Sequence, residues 1–169
     1  VLLRRAYAAV FLLDADIAWA RQSVLDFFAR WRCDFGERPP LVAQGLVRGD
    51  RVRWWPLSYD AWAAAWAHNA TLRSVRGVRV GFLEQQALLI DARFFVWFMH
   101  NGGLELTRMQ EAWHNDYGLN SILCGAADAH RAKFDRGRRA SCVLITVPYE
   151  HISTQLIARK GRGRGEAQF

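Results

Sequence analysis

Residues 10–16 read Val-Phe-Leu-Leu-Asp-Ala-Asp, a short apolar run that stops at two carboxylates. A run this short and bulky favours a strand that is buried on both faces of a parallel sheet. Asp14 and Asp16 would then lie at the carboxyl end of that strand, where open α/β sheets bind their ligands. The stretch also leaves open a single amphipathic helix over residues 6–32, with both aspartates in solvent.

Two carboxylates one residue apart on a turn can approach the same divalent cation. Mg²⁺ and Mn²⁺ take hard oxygen ligands and fill their remaining positions with water and substrate phosphate. The spacing of Asp14 and Asp16 resembles the Asp-x-Asp motif of nucleotide-sugar glycosyltransferases. We therefore predict that both side chains bind a metal ion.

Composition predicts one folded domain with anionic partners. Of the 169 residues 51% are apolar, which argues against wholesale disorder, and eight tryptophans suggest an aromatic core or a site that stacks flat ligands. The net charge is +7, and much of the excess lies in residues 131–139 and 159–164. We expect residues 158–169 to form a basic, flexible tail, and the other basic stretch to be an exposed face.

The cysteines and the apolar segments define little about the compartment. Cys33, Cys124 and Cys142 form no Cys-x-x-Cys motif, so one disulfide and three buried thiols are both open. The most apolar segments are broken by charges short of the roughly 18–20 residues of a membrane span. The chain begins with Val1 close to a core strand, which suggests that an amino-terminal part is missing.

Apolar periodicity and breaker residues predict an alternation of strands and helices. Ser23 is predicted to cap the first helix. Residues 45–55 are predicted to be a hairpin arm or a loop, and residues 126–139 to be exposed. The predicted strands are residues 7–13, 41–43, 78–83 and 142–147, and the predicted helices are residues 23–32, 61–69, 90–100 and 117–124, with a glycine stop at residues 101–103.

Polar residues follow three of these strands. Asp14 and Asp16 follow the first, Glu84 follows residues 78–83, and His151 follows residues 142–147. Because several strand ends share one edge of a sheet, Asp14, Asp16 and His151 are predicted to form a Mn²⁺ site. The plainer alternatives are a surface histidine for His151 and a paired structural carboxylate for Glu84.

Residues 113–120 bring aromatic, imidazole and carboxylate groups together. Trp113 and Tyr117 could stack on a sugar ring, and Asp116 could take a proton from a hydroxyl group. An aromatic helix start with Asp116 near its positive end explains the same residues. Downstream, Asn120, Cys124 and residues 130–133, with a histidine upstream, resemble a ββα-metal nuclease motif, although no ββ hairpin is predicted before them.

Four blocks in order resemble one family. It is the plant and algal family of uncharacterised glycosyltransferase-like proteins labelled lysine-ketoglutarate-reductase trans-splicing related. The blocks are residues 7–16, residues 81–95 with Phe-Leu-Glu at 82–84, the Tyr-Gly-Leu-Asn of residues 117–120, and residues 143–151 with their late histidine. Asn120 stands where the family usually has Asp, and Leu88 replaces the usual Pro.

The resemblance implies an α/β fold, a partial GT-A-like (Rossmann-related) mixed sheet flanked by helices. Residues 1–157 would be the C-terminal part of that domain, with the amino-terminal part of the donor pocket missing. The implied function is metal-dependent transfer of a sugar from a nucleotide-sugar donor to a glycan or another hydroxyl acceptor, with Mn²⁺ or Mg²⁺ as cofactor. A signal anchor in a longer protein would imply the Golgi or the secretory pathway.

The resemblance also assigns roles to individual residues. Asp14, Asp16 and His151 would be metal ligands, and Glu84 and Asp116 would be catalytic residues that bind the acceptor or act as base. The donor or sugar platform would comprise Trp113, Tyr117 and Asn120. A nucleic-acid-binding or nuclease domain and a structural subunit of a larger assembly are the other two hypotheses. As a fragment, the chain is expected to be marginally stable, prone to associate, and weak or inactive.

Overall fold

A computed structural model describes residues 7–35, 38–48, 58–84, 86–106, 116–135 and 141–152, with side chains of the helix at 116–134 described from residue 122 onward. The fold is mixed α/β: a six-stranded mixed sheet flanked by helices. The strands are β1 (Ala9–Leu13), β2 (Ile17–Ala18), β3 (Val42–Arg48), β4 (Gly77–Arg79), β5 (Ala87–Asp91) and β6 (Cys142–His151). The helices are α1 (Arg21–Cys33), α2 (Tyr59–His68), α3 (Ala92–Phe98) and α4 (Asp116–Phe134).

The strand order is β1-β5-β3-β6-β2, and β4 pairs with the first half of β6. β3 and β6 are parallel, and the other pairings among the described strands are antiparallel. The predicted strand before Asp14 is confirmed, and so is the mixed sheet. The prediction that this strand is buried on both faces of a parallel sheet was wrong. β1 is an edge strand, and Leu12 and Leu13 are 41% and 50% exposed, because an apolar run alone does not distinguish an edge strand from a central one.

The connection between β1 and β2 forces the sheet to curl. These consecutive strands lie at opposite ends of the strand order. Four strand spacings of about 4.8 Å would separate them by roughly 19 Å in a flat sheet. The chain from Leu13 to Ile17 covers at most about 15 Å even when fully extended. The sheet therefore closes partly on itself, and the loop at residues 14–16 crosses its carboxyl edge.

The two faces of the sheet bury separate apolar clusters. Alternate residues of each strand point to opposite faces, so neighbouring residues belong to different clusters. The face toward α1 includes Ala43, Leu89, Val143 and Ile145 together with Phe27 and Trp31. The other face includes Val42, Leu88, Ile90 and Leu144 together with Phe94, Leu123 and Ala127 of α3 and α4. The helices thus form layers on both sides of the sheet.

Two polar contacts hold α1 against its face. The Arg30 guanidinium donates to the Thr146 hydroxyl at 2.8 Å, and the Trp31 indole N–H donates to the Pro40 carbonyl at 3.0 Å. The prediction that Ser23 caps this helix was wrong. Ala20 occupies the N-cap position without a side-chain bond, because β2 and the partly buried Trp19 lead directly into a helix that begins before Ser23.

A disulfide ties α4 to β6. Cys124 and Cys142 are bonded, with their Cα atoms 5.5 Å apart, and Cys33 is an exposed free thiol. This pairing decides between the alternatives that the sequence left open. The helix continues to Phe134, and Ala127 and Arg131 are buried within it. The prediction that residues 126–139 are exposed was therefore wrong for these positions, because a polar helix can still bury one stripe.

Three further boundaries differ from the predictions. Only the start of residues 78–83 is a strand; the chain then leaves β6, which buries Leu83 and brings Glu84 to β3. Ile90 belongs to β5, since the Asp91 carboxylate accepts from two backbone N–H groups and begins α3 at the next residue. β3 extends beyond the predicted strand through residues 45–48, part of the predicted hairpin arm or loop, whereas 49–57 lie outside the described residues.

Gly45 allows β3 to pack closely against β6 and the ring of Trp19. A Cβ there would lie 2.7 Å from the Val147 carbonyl oxygen and 3.0 Å from Trp19 and Tyr149. We expect Gly45→Ala to lower the free energy of unfolding by about 1–3 kcal/mol, because backbone or rings must shift. The control is Gly125→Ala in α4, where a Cβ meets nothing within 4 Å and helix propensity should add about 0.5–1 kcal/mol. Urea unfolding followed by tryptophan fluorescence measures both, and equal effects would contradict this account.

Candidate functional site

The loop at residues 14–16 is fixed at both ends to the carboxyl edge of the sheet. The Asp14 N–H donates to the Gln86 carbonyl at 2.9 Å, on the β5 side. The Ile152 N–H donates to the Asp16 carbonyl at 2.7 Å, on the β6 side. Because β1, β3 and β6 run in the same direction, this edge collects their carboxyl ends, as was predicted for β1 and β6. The same prediction was wrong for the strand before Glu84, because β4 runs antiparallel to β6.

Asp16 and His151 meet at this edge. Ile17 pairs with His151 in the β2–β6 ladder, so the residue before Ile17 lies beside the end of β6. His151 Nε2 is 3.1 Å from Asp16 Oδ2, and both side chains are half-buried. A carboxylate beside an imidazole orients the ring. The pair therefore joins two residues that are far apart in sequence into one polar site.

Glu84 lies close to this pair. Its backbone N–H donates to the Gln44 side-chain carbonyl at 2.8 Å. Burial raises the pKa of the Glu84 carboxyl, and the charge of His151 partly opposes that rise. A carboxylate with a raised pKa is a stronger base than an ordinary one, which is the property that a general base requires.

A buried hydrogen-bond network supports Glu84 from inside the sheet. The Gln44 amide N–H donates to the Tyr149 hydroxyl at 2.7 Å, and Gln44 is fully buried. The Tyr149 O–H lies 3.2 Å from the Gln86 side-chain carbonyl, to which it can donate. Burial is the main cause that raises the pKa of Tyr149 far above its ordinary value. The hydrogen bond from Gln44 lowers this pKa, whereas the charges of Glu84 and Asp14 raise it further. The hydroxyl therefore stays protonated at neutral pH and remains a donor.

The structure brings together the predicted site residues that it describes. Asp14, Asp16, Glu84 and His151 all belong to the carboxyl edge. Asp116, Tyr117 and Asn120 lie in the first turns of α4, but their side chains are outside the described residues, and Trp113 lies outside them altogether. In the described part of the chain, no three His, Cys, Asp or Glu side chains are grouped so as to hold a metal ion. The Mn²⁺ site stays a prediction.

Sequence reasoning missed Gln44 and Tyr149. Gln44 is a polar residue inside the apolar run of residues 41–47, and a buried amide in such a strand must find partners. That signal was available in the sequence. The identity of the partners was not, because Tyr149 reaches Gln44 only through the parallel pairing of β3 and β6.

The residues of the nuclease-like pattern have other contacts. Cys124 is in the disulfide. The His130 ring packs among aromatic rings, with its centroid 5.0 Å from that of Trp97 and 4.7 Å from that of Phe134. Arg131 is buried and donates to the Pro39 carbonyl. These contacts are those of a helix packed on the sheet, and they explain the residues without nucleic acid.

No protein-family model, curated protein or solved structure matches this chain. Among the described residues, no helix has both the length and the apolar character needed to cross a membrane.

Removing the Gln44 amide should weaken the whole edge. We expect Gln44→Leu to lower the free energy of unfolding by about 1–3 kcal/mol, because it leaves the Glu84 N–H and the Tyr149 hydroxyl without this partner. The control is Gln22→Leu, which removes an exposed amide bonded to Asp26 and should change stability by less than about 0.5 kcal/mol. Urea unfolding measures both; a Gln44→Leu variant as stable as the control would refute the role of the network.

The raised pKa of Glu84 predicts a pH dependence of stability. Between the ordinary pKa of a glutamate and the raised pKa of Glu84 in the folded chain, the folded chain binds more protons at this group than the unfolded chain. Stability therefore falls as pH rises through that window. Relative to wild type, Glu84→Gln should become progressively more stable as pH rises from about 4 to 8. Urea unfolding at a series of pH values checks this, with the exposed Glu150→Gln as control; parallel curves for wild type and Glu84→Gln would contradict it.

Proposed function

We propose that this chain carries the cation-binding and acid–base edge of a GT-A-like glycosyltransferase. Such an enzyme transfers a sugar from a nucleotide-sugar donor to a hydroxyl acceptor. The observation that supports the proposal most is the 3.1 Å contact between Asp16 and His151. Asp14 belongs to the same loop as Asp16, and Glu84 is close enough to His151 for their charges to interact.

The donor set at this edge is suited to a divalent cation. Mn²⁺ accepts both carboxylate oxygen and imidazole nitrogen, and Asp16 and His151 offer one of each. Asp14 lies on the same three-residue loop and is the third proposed ligand. When bound, the cation would neutralise the charge that develops on the leaving diphosphate. The two fixed ends of the loop hold Asp14 and Asp16 in place before any substrate arrives.

Glu84 is the proposed base within the described residues. Its carboxylate would take the proton of the acceptor hydroxyl while the hydroxyl oxygen bonds to the anomeric carbon of the sugar. The bond between that carbon and the donor diphosphate breaks, and its electron pair leaves with the diphosphate. The Gln44 amide fixes the backbone of Glu84, so the base is positioned by a buried group that does not itself titrate.

The remaining roles complete the proposal on α4 and the segment before it. Asp116 is a second candidate for acceptor binding or for the base. Trp113, Tyr117 and Asn120 are the proposed donor and sugar platform. The expected partners are therefore a nucleotide sugar and a glycan or another hydroxyl acceptor, and the expected cofactor is Mn²⁺ or Mg²⁺.

Cation binding is tested by thermal unfolding. At a Mn²⁺ concentration of about 100 Kd, binding should add about 2.7 kcal/mol, which corresponds to a rise in Tm of roughly 5–10 °C. Asp16→Ala should abolish the rise, and EDTA should reverse it in wild type. Asp128→Ala is the control, since it removes an exposed carboxylate paired with Arg79 and should leave the rise intact. A rise that survives Asp16→Ala would refute the cation site.

Transfer chemistry needs its own measurement. Release of nucleoside diphosphate from a panel of nucleotide sugars should require Mn²⁺ and should fall at least about 100-fold in Glu84→Gln, the usual contribution of a general base. The Asp128→Ala variant should match wild type. Cation binding without release of diphosphate from any donor would keep the metal site but count against the transferase.

A further inference from the structure

A groove lies at the amino edge of the sheet, opposite the site described above. It encloses about 710 Å³ between the start of β3, the end of β5, and α3 and α4. A second hollow of about 640 Å³ adjoins it beside β1 and α1 and shares Pro39, Asp91 and Arg93 with it. Each volume lies within the range of small-molecule sites, about 300–1,000 Å³.

One wall of the groove is aromatic and rigid. Trp97, His130 and Phe134 contact one another at ring-centroid distances of 4.7–6.5 Å. Trp97 also packs on the core residue Phe94, so the rings are held from behind. Phe134 is 54% exposed and Trp97 is partly exposed. Such a wall offers flat apolar surface to a planar ligand without first having to order itself.

The lining of the two hollows carries an excess of positive charge. Four guanidinium groups line the two hollows against two carboxylates; they are Arg32, Arg38, Arg93 and Arg131, against Asp91 and Asp135. Both carboxylates already have partners within the protein. Asp135 contacts Arg38 and Arg131, and an Asp91 oxygen accepts from the first amides of α3.

The exposed arginines can still bind an anion. Arg38 has five N–H donors, contacts Asp135 through one terminal nitrogen, and is 61% exposed. Arg93 is exposed and lines both hollows. Planar guanidinium groups form paired hydrogen bonds with phosphate oxygens. The buried Arg131 donates to the Pro39 carbonyl at 2.6 Å and so fixes Pro39, which lines both hollows.

We infer that this groove binds a nucleoside phosphate, with the base against Trp97, His130 and Phe134 and the phosphate on Arg38 and Arg93. An aromatic wall alone would suit any flat apolar ligand, and arginines alone would suit any phosphate. Their combination in one half-enclosed groove selects a ligand that has both parts. This site is independent of the cation site at the carboxyl edge.

Isothermal titration of the full chain with adenosine monophosphate, in EDTA, tests the inference. We expect saturable binding that weakens as salt rises, because the phosphate contacts are partly exposed. Adenosine and inorganic phosphate should each bind at least about tenfold more weakly than the monophosphate. Arg93→Gln and Arg38→Gln should each weaken binding about tenfold, with unfolding curves confirming that both variants fold.

The matched control is Arg79→Gln. Arg79 is an exposed arginine on β4, paired with Asp128 and outside the groove, so its loss should leave the affinity unchanged. Four results would overturn the inference: no binding at millimolar nucleotide, equal affinity for phosphate alone, unchanged affinity in both groove variants, or binding that appears only with Mn²⁺. The last would assign the nucleotide to the carboxyl edge, and would leave the proposed transferase standing.

Discussion

The fold depends on one geometric constraint: three residues must connect strands at the two ends of the sheet. The loop at residues 14–16 meets it only because the sheet curls. The curl is fixed where the loop begins, at the Gln86 carbonyl, and where it ends, beside Ile152. The ligand-binding potential of the edge follows from the same constraint, because the loop that closes the sheet is also the loop that carries both aspartates.

Behind this edge, two polar side chains lie in the interior of the sheet, where burial of a polar group is unfavourable unless it is hydrogen-bonded. An amide buried without partners costs several kcal/mol, yet Gln44 and Tyr149 are almost completely enclosed. Each polar atom of the pair reaches a partner, so the cost is offset and the arrangement becomes specific. Trp19 stacks on the Tyr149 ring, with centroids 5.1 Å apart, and Gly45 leaves room for both rings. Packing and hydrogen bonding therefore determine the same geometry.

The local pattern of apolar residues predicted the features that depend on nearby residues alone, namely the positions of individual strands and helices. The apolar runs gave the positions of β1 and β6, and the periodicity of α1 gave its extent to within a few residues. The placement of Asp14, Asp16 and His151 at one edge was predictable, because β1 and β6 share a direction and strands that share a direction share an edge. The placement of Glu84 was not, because β4 runs antiparallel to β6 and Glu84 comes to β3 only after the chain has left that strand. The direction of β5, the edge position of β1 and the partners of Gln44 were not predictable, since each depends on pairings between distant segments. The cysteine pairing required the same non-local information.

Charge separates the two edges of the sheet. The carboxyl edge gathers Asp14, Asp16 and Glu84 beside a single histidine, whereas arginines dominate the groove at the amino edge, in a chain of net charge +7. Carboxylates that repel one another while partly buried are tolerated when a cation or protons compensate them. Burial raises the pKa of the Glu84 carboxyl, which eases its neutralisation by a proton, and a divalent cation would compensate the aspartates of the loop. A positive field from the rest of the chain would in turn favour the approach of a phosphorylated donor. Under the proposed function the two effects would act in sequence, because the long-range field of the basic chain would favour the encounter with a phosphorylated donor, and a cation held by the loop aspartates would then bind its phosphates.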